Sequence, residues 1–224
     1  MNMALRHLIE AEEKAASLFL EIESRGLIKP GKSEKSLNKE IFALASELYG
    51  IKKYWHKRII RAGKNTLHPY YENPENLIIQ DDDILFIDFG PIFEEREADF
   101  GRTYVIGNDP LKHRLKNDLE TAWDECESYF YSKEEITGSE LYDHAISIAD
   151  KFGWEFGGEI AGHLIGHFPH DKLEKEDKSN YIHKDNHISM SELDKTGNQR
   201  HWILEIHFVD REKEIGGFFE QLLT

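Results

Sequence analysis

ILFIDFGPIFEEREADFGRTYV, residues 84–105, contains two apolar runs, ILFID (84–88) and ADFGRTYVIG (98–107 when extended), each interrupted by one aspartate. Their aliphatic and aromatic content is that of buried strands. An antiparallel hairpin centred between Phe93 and Glu94 is the expected pairing, and it sets Asp88 opposite Asp99. Facing side chains in such a pair have Cβ atoms about 4.5–5.5 Å apart, and like charges there repel. A divalent cation reverses the sign of that interaction. Two further carboxylates interrupt apolar strands, Glu205 in WILEIHFV (202–209) and Glu220 in GGFFEQLL (216–223). Burying an unpaired carboxylate is costly, so such a group binds a partner, takes a proton or holds metal. One could face solvent on a half-exposed strand. Four in one chain point to a shared cation site, and two ions about 3.5–4 Å apart need several carboxylates to hold them.

Around these strands, residues 4–24 carry apolar positions at helical spacing, with Gly26 placed to stop the helix. Ser33 or Ser36 can cap a second helix running to about Tyr49. Residues 52–61 read as a strand or its approach, and RAGKNTLHPYYENPENL as loop. Residues 110–131 and 138–152 read as helices, the second starting near Thr137 and ending at Gly153. The polar segment 171–200 reads as an exposed insertion or long loop. Helices and strands interleave without a Pro/Ser-rich linker, which favours a single α/β or α+β domain over 1–224.

Composition narrows the function. The chain has 224 residues, 39% of them hydrophobic, which suits a globular core rather than disorder. Its 43 acidic residues against 28 basic give a formal net charge of −15, which argues against binding a nucleic-acid backbone. Most of that charge is expected on a solvated surface. The lone Cys126 cannot make an internal disulfide and reads as a packing residue of a helix. No apolar stretch approaches about 18 residues, so a membrane span is not expected and a cytoplasmic location is.

His163 offers a nitrogen ligand, flanked by Gly162 and Gly166, which allow the backbone to approach a crowded centre. On its own such a histidine is more often structural. His163 and His167 have the i, i+4 spacing of a zincin but lack the glutamate that follows the first histidine, so a thermolysin-type site is excluded. Neither a G-x-S-x-G elbow nor a motif around Cys126 supports nucleophilic catalysis.

With these residues in hand, the chain resembles the pita-bread metallopeptidases, a family of methionine aminopeptidases, aminopeptidase P, prolidase and the non-peptidase creatinases. Their ligands run Asp, Asp, His, Glu, Glu, with the two Asp about eleven residues apart, and Asp88, Asp99, His163, Glu205 and Glu220 reproduce that order. RAGKNTLHPYYENP is similar to the segment before the first Asp in the proline-directed members. Asp99-Phe-Gly-Arg102-Thr103 resembles their D-x-x-R-T pattern. The run from His163 to His170 and Asp171 resembles their H-x-[LIV]-G-x-x-x-H-[DE] segment. Glu159 stands where those enzymes often have a histidine.

The resemblance implies an α+β pita-bread fold, a curved and largely antiparallel sheet covered by helices. It implies two divalent ions (Mn, Co, Fe or Zn). Asp88 would hold one, His163 and Glu205 the other, with Asp99 and Glu220 bridging. Glu205 would also move the proton, His170 would stabilise the oxyanion, and His68 would position the scissile amide. Arg102 is expected to pair with a ligand carboxylate and fix its orientation. The implied activity is a metallo-aminopeptidase on peptide substrates, with Xaa-Pro bonds the finer expectation and a homodimer the family bias. The alternatives are a creatinase-like hydrolase of a small non-peptide C–N bond and a catalytically silent binding domain.

Overall fold

The computed structural model describes residues 3–166, 177–195 and 197–224. Helix α1 (Met3–Ser24) buries Leu8, Ala11, Ala15, Leu18, Phe19 and Ile22, the one-sided stripe its spacing predicts. Helix α2 (Glu34–Tyr49) starts where the Ser33 side chain accepts the Ser36 N–H and stops at Gly50, whose φ of 66° is left-handed. Strand β1 (Ile59–Ala62) leads into a 3-10 turn, Gly63–Leu67. Strands β2 (Ile84–Phe89), β3 (Ile92–Phe93), β4 (Arg96–Glu97) and β5 (Phe100–Val105) follow. Helices α3 (Pro110–Tyr131) and α4 (Gly138–Phe152) fall where the sequence places them. A capping box between Thr137 and Glu140 starts α4, a feature worth about 1 kcal/mol. Strands β6 (Glu155–Phe156), β7 (Gly162–Ile165), β8 (His201–Asp210) and β9 (Ile215–Leu223) complete the chain.

Among the described residues, seven strands form one antiparallel sheet in the order β1-β2-β5-β9-β8-β6, with β7 also paired to β8. This is the expected α+β architecture. The helices cover one face, over two separate apolar cores. One joins α1 and α2 to Leu85, Ile87, Phe89 and Phe100. The other joins α3 and α4 to Trp202, Leu204, Ile206, Phe208 and Phe219. Cys126 is buried in the second core, as a packing residue should be. No described helix is long and apolar enough to cross a membrane.

The structure corrects two expectations. The β2–β5 hairpin turns one residue later than expected, at Glu94 and Glu95, so Asp88 lies opposite Gly101 and not Asp99. Both turn residues have positive φ, 50° and 70°, the conformation of a two-residue hairpin turn normally marked by Asn or Gly. Two glutamates give no such mark. The two-residue shift keeps parity, so both aspartates still point to one face. The segment 52–61 is the approach to a strand, as read, with β1 itself starting at Ile59. Finally, the part of 171–200 that is described is not wholly exposed. Ile182 and Met190 are core residues, and the Trp202 indole donates to the Met190 carbonyl at 3.0 Å. Single apolar residues scattered among charges leave no periodicity to read.

The two halves of the sheet meet where β5 and β9 pair at Gly101 and Glu220 alone. Two residues along, the Thr103 hydroxyl takes over the role of the ladder: it accepts the Phe218 N–H at 2.7 Å and donates to the Phe218 carbonyl at 2.8 Å. Thr103→Val keeps the side chain's shape and strands both backbone groups. We expect it to lower unfolding free energy by about 1–3 kcal/mol, read as a lower denaturant midpoint at unchanged slope.

Candidate metal centre

The register aligns one row of residues across the sheet: Ile59, Asp88, Gly101, Glu220 and Glu205. Three of the five are carboxylates on the face away from the helices. Gly101 sits between Asp88 and Glu220, and a Cβ there would lie 2.7 Å from the Phe218 ring and 3.0 Å from the Glu220 Cβ. Asp99, two residues before Gly101, leans over the row. His163 comes from β7, whose Gly162 has φ of 140° and lies so close to β8 that a Cβ would sit 2.0 Å from the Ile203 carbonyl. The glycine before His163 thus has the role expected of it, whereas Gly166 has open space around it.

Asp99 is the hub. Its Oδ2 lies 3.1 Å from His163 Nε2, and Glu220 Oε1 lies 4.0 Å from the same nitrogen. Its Oδ1 lies 3.0 Å from Nε2 of His56, a residue the sequence reading did not single out. His56 Nε2 is also 3.6 Å from Asp88 Oδ1. Two overlapping groups of donor atoms result, His56 with Asp88 and Asp99, and Asp99 with His163 and Glu220. His56 lies in the irregular segment before β1, 32 residues from Asp88 in sequence, so no local spacing marks it. The one available signal was a histidine following Tyr54 and Trp55 at the approach to an apolar strand.

The charges are crowded. Burial pushes Asp88 up to about 7 although His56 pulls it down. Burial likewise lifts Glu205 to about 8 against the attraction of His163. Glu220 rises well above the carboxylate range through burial and then through Asp99, Asp88 and Glu205. Burial would raise Asp99 too, but His56 and His163 hold it at about 2. Burial disfavours the His56 imidazolium, yet Asp99 and Asp88 prevail and raise it to about 9. Asp88 Oδ1, Glu205 Oε1 and Glu220 Oε2 are buried with no hydrogen-bond donor. Orphaned carboxylate oxygens beside imidazole nitrogens are a donor set for Mn, Co, Fe or Zn, so the residues fit divalent ions.

Two further expected residues, His68 and Arg102, stand outside these donor groups. His68 is half-exposed on the loop after the 3-10 turn, and its Nδ1 contacts the Glu72 carboxylate. His170 lies outside the described residues. Arg102 is on the helix-covered face, between the rings of Phe100 and Phe219 at 3.7 and 3.8 Å. Its guanidinium donates to the Glu220 backbone carbonyl at 2.8 Å and to the Gln221 side chain. It therefore positions the strand that bears Glu220 and not the carboxylate, because its place in β5 is one residue out of phase with Gly101.

A fold of this kind with clustered carboxylates and histidines on one sheet face is the frame of a metallopeptidase. The chain belongs to metallopeptidase family M24, whose model matches residues 6–196. None of the curated proteins matches the chain. Among solved structures it is similar to a dipeptidase from Pyrococcus horikoshii OT3, with 21% identity and a TM-score of 0.73 over 97% of this chain and 58% of that one. An X-Pro aminopeptidase from Thermotoga maritima MSB8 gives 20% and 0.74 over 99% and 60%. An Xaa-Pro dipeptidase from Bacillus anthracis gives 18% and 0.72 over 100% and 61%. The chain thus spans about three fifths of the length of these structures.

The site's charges set a pH dependence. Groups with folded values raised above their unfolded ones stabilise fully below the unfolded value and lose that contribution as pH rises through the folded one. Asp88, Glu205 and His56, at about 7, about 8 and about 9, all act in this direction. Asp99, held at about 2, acts oppositely but only in strong acid. Chelator-treated protein is therefore expected to melt at progressively lower temperature from pH 6 to pH 9. Saturating Mn²⁺ should abolish the trend, since bound cations replace the protons. A flat calorimetric profile without metal would contradict the charge assignment.

Proposed function

We propose that the chain is a dinuclear-metal-dependent peptidase that hydrolyses the amino-terminal bond of a peptide, with Xaa-Pro the favoured bond. The observation that carries this reading is the clustering of Asp88, Asp99, His163 and Glu220 in two overlapping donor groups, with Glu205 paired in register to Glu220 and orphaned oxygens on Asp88, Glu205 and Glu220. Asp99 belongs to both donor groups and would suit a shared position, with Glu220, which belongs to one of them, beside it. Two divalent ions, when bound, would supply Lewis acidity and acidify the attacking water.

The side chains divide the remaining work. Glu205 accepts the proton of the attacking water and returns it to the departing amine, so that the C–N bond breaks to a neutral amine. Glu72 fixes the His68 ring, and His68 orients the scissile amide toward the patch. His170 donates to the developing oxyanion. The proline preference rests on the resemblance of residues 99–103 to the D-x-x-R-T pattern of proline-directed enzymes, not on a substrate contact by that segment. Its Arg102 and Thr103 grip the backbone of β9 on either side of Phe219, a support role that leaves substrate choice to the residues above the patch.

Two measurements test the reading. Protein loaded with Mn²⁺ or Co²⁺ should cleave Xaa-Pro peptides faster than Met-Ala peptides. Absence of cleavage in both panels would sink the peptidase assignment, and a small-amidine or creatine-like substrate would then be the next panel. Glu205→Gln should lower kcat by on the order of 10²–10⁴, the usual contribution of a positioned acid–base group, while its circular dichroism stays that of the parent. Retained turnover would remove Glu205 from the proton path.

A further inference from the structure

His56 has no part in the ligand set described above, yet it is built into the site as firmly as His163. The two rings are held alike. The Nδ1 of His56 contacts the carbonyl of the next residue, Lys57, at 2.7 Å, and the Nδ1 of His163 contacts that of Leu164 at 2.9 Å. A carbonyl accepts only from N–H, so in both rings Nδ1 carries the hydrogen and Nε2 is turned toward Asp99. This is the arrangement by which proteins orient a metal-binding imidazole. The two nitrogens reach different oxygens of one carboxylate, His56 toward Oδ1 at 3.0 Å and His163 toward Oδ2 at 3.1 Å. Trp55 packs against both, its ring centroid 4.5 Å from His56 and 5.2 Å from His163.

The fold makes room for this ring. Gly90 follows Asp88 by two residues, and a Cβ there would lie 2.1 Å from His56 Cδ2 and 2.3 Å from Nε2. The His56 side chain is only 7% exposed, so the ring is enclosed at the patch and not grazing it. Donor separations agree as well. Ligands about 2.0–2.2 Å from one ion lie about 3.0–3.5 Å from each other. His56 Nε2 is 3.0 Å from Asp99 Oδ1, within that range, and 3.6 Å from Asp88 Oδ1, at its outer edge.

We propose that His56 is a sixth protein ligand of the centre: its Nε2 joins Asp88 and Asp99 on one ion, as His163 joins Asp99 and Glu220 on the other. Each ion then has one imidazole. The inference rests on the two-ion reading above. A histidine that only hydrogen-bonds to Asp99 would also weaken metal binding when lost, by about 10–100-fold for such supporting partners, so affinity alone does not decide between the roles. The number of coordinated imidazoles does.

The full chain loaded with two equivalents of Zn²⁺ is the sample, with metal content measured directly and imidazole scatterers counted by X-ray absorption. Six ligands give an average of one imidazole per zinc in the unaltered protein, and five give one half. His56→Gln should bring the count from one to one half, as should His163→Gln, with circular dichroism reporting that each variant is folded. A count of one half in the unaltered protein, or a count that His56→Gln leaves unchanged, overturns the proposal even if a variant fails to fold, since the first measurement needs no variant. Failure of the unaltered protein to take up two zinc ions overturns the two-ion reading itself, and this inference with it.

Discussion

Repulsion among buried carboxylates is the constraint on which the rest of this structure depends. Asp88, Glu220 and Glu205 fall in one row across the sheet, with Asp99 over it and the side-chain-free Gly101 in the middle. At separations near 4 Å each like pair would cost about 4 kcal/mol at the effective dielectric typical of such sites. Among the described residues two imidazoles offer positive charge in direct contact, and both lie closest to Asp99. Among the described residues the buried Arg61 adds a more distant positive charge that acts on Asp88, while Arg102 is on the other face. A site so arranged is stable in one of two ways, by taking up protons or by taking up cations, and the near-neutral values of Asp88 and Glu205 set the two in competition.

Much of this could be read from the residues alone. The helices at 110–131 and 138–152 follow from caps and periodicity, and Asp88, Asp99, Glu205 and Glu220 stood out because ionised groups in apolar runs violate an otherwise strict pattern. What escaped did so for physical reasons. The hairpin turn carries no glycine or asparagine, so its register was displaced by two. His56 is brought to Asp99 by tertiary folding across 43 residues, a distance at which no local period operates. Ile182 and Met190 enter the core singly from a polar segment, and a single residue has no pattern.

The D-x-x-R-T segment illustrates how a motif can be right and its interpretation wrong. Arg102 neighbours the site in sequence and in family pattern, yet strand alternation turns it to the opposite face. There it and Thr103 bind main-chain atoms of β9. The motif therefore couples one candidate ligand, Asp99, to the strand that bears another, Glu220. Its residue types are dictated by hydrogen-bond geometry at an interrupted ladder and not by chemistry on a substrate.

That interruption has a mechanical meaning. The two apolar cores belong to opposite halves of the sheet, and the seam between them runs through the single Gly101–Glu220 pairing. His56, Asp88 and Asp99 sit on one bank of the seam, while His163, Glu205 and Glu220 sit on the other. Asp99, reaching both imidazoles, is the only one of the six to hydrogen-bond across it through a ring nitrogen on the far side. Ions held there would act as rivets between two half-bodies, so that loading and the stiffness of the joint become one thermodynamic quantity. Amide exchange along β5 and β9 would then slow on loading far more than exchange within either core, and the molecule would carry in its own elasticity a record of whether its centre is filled.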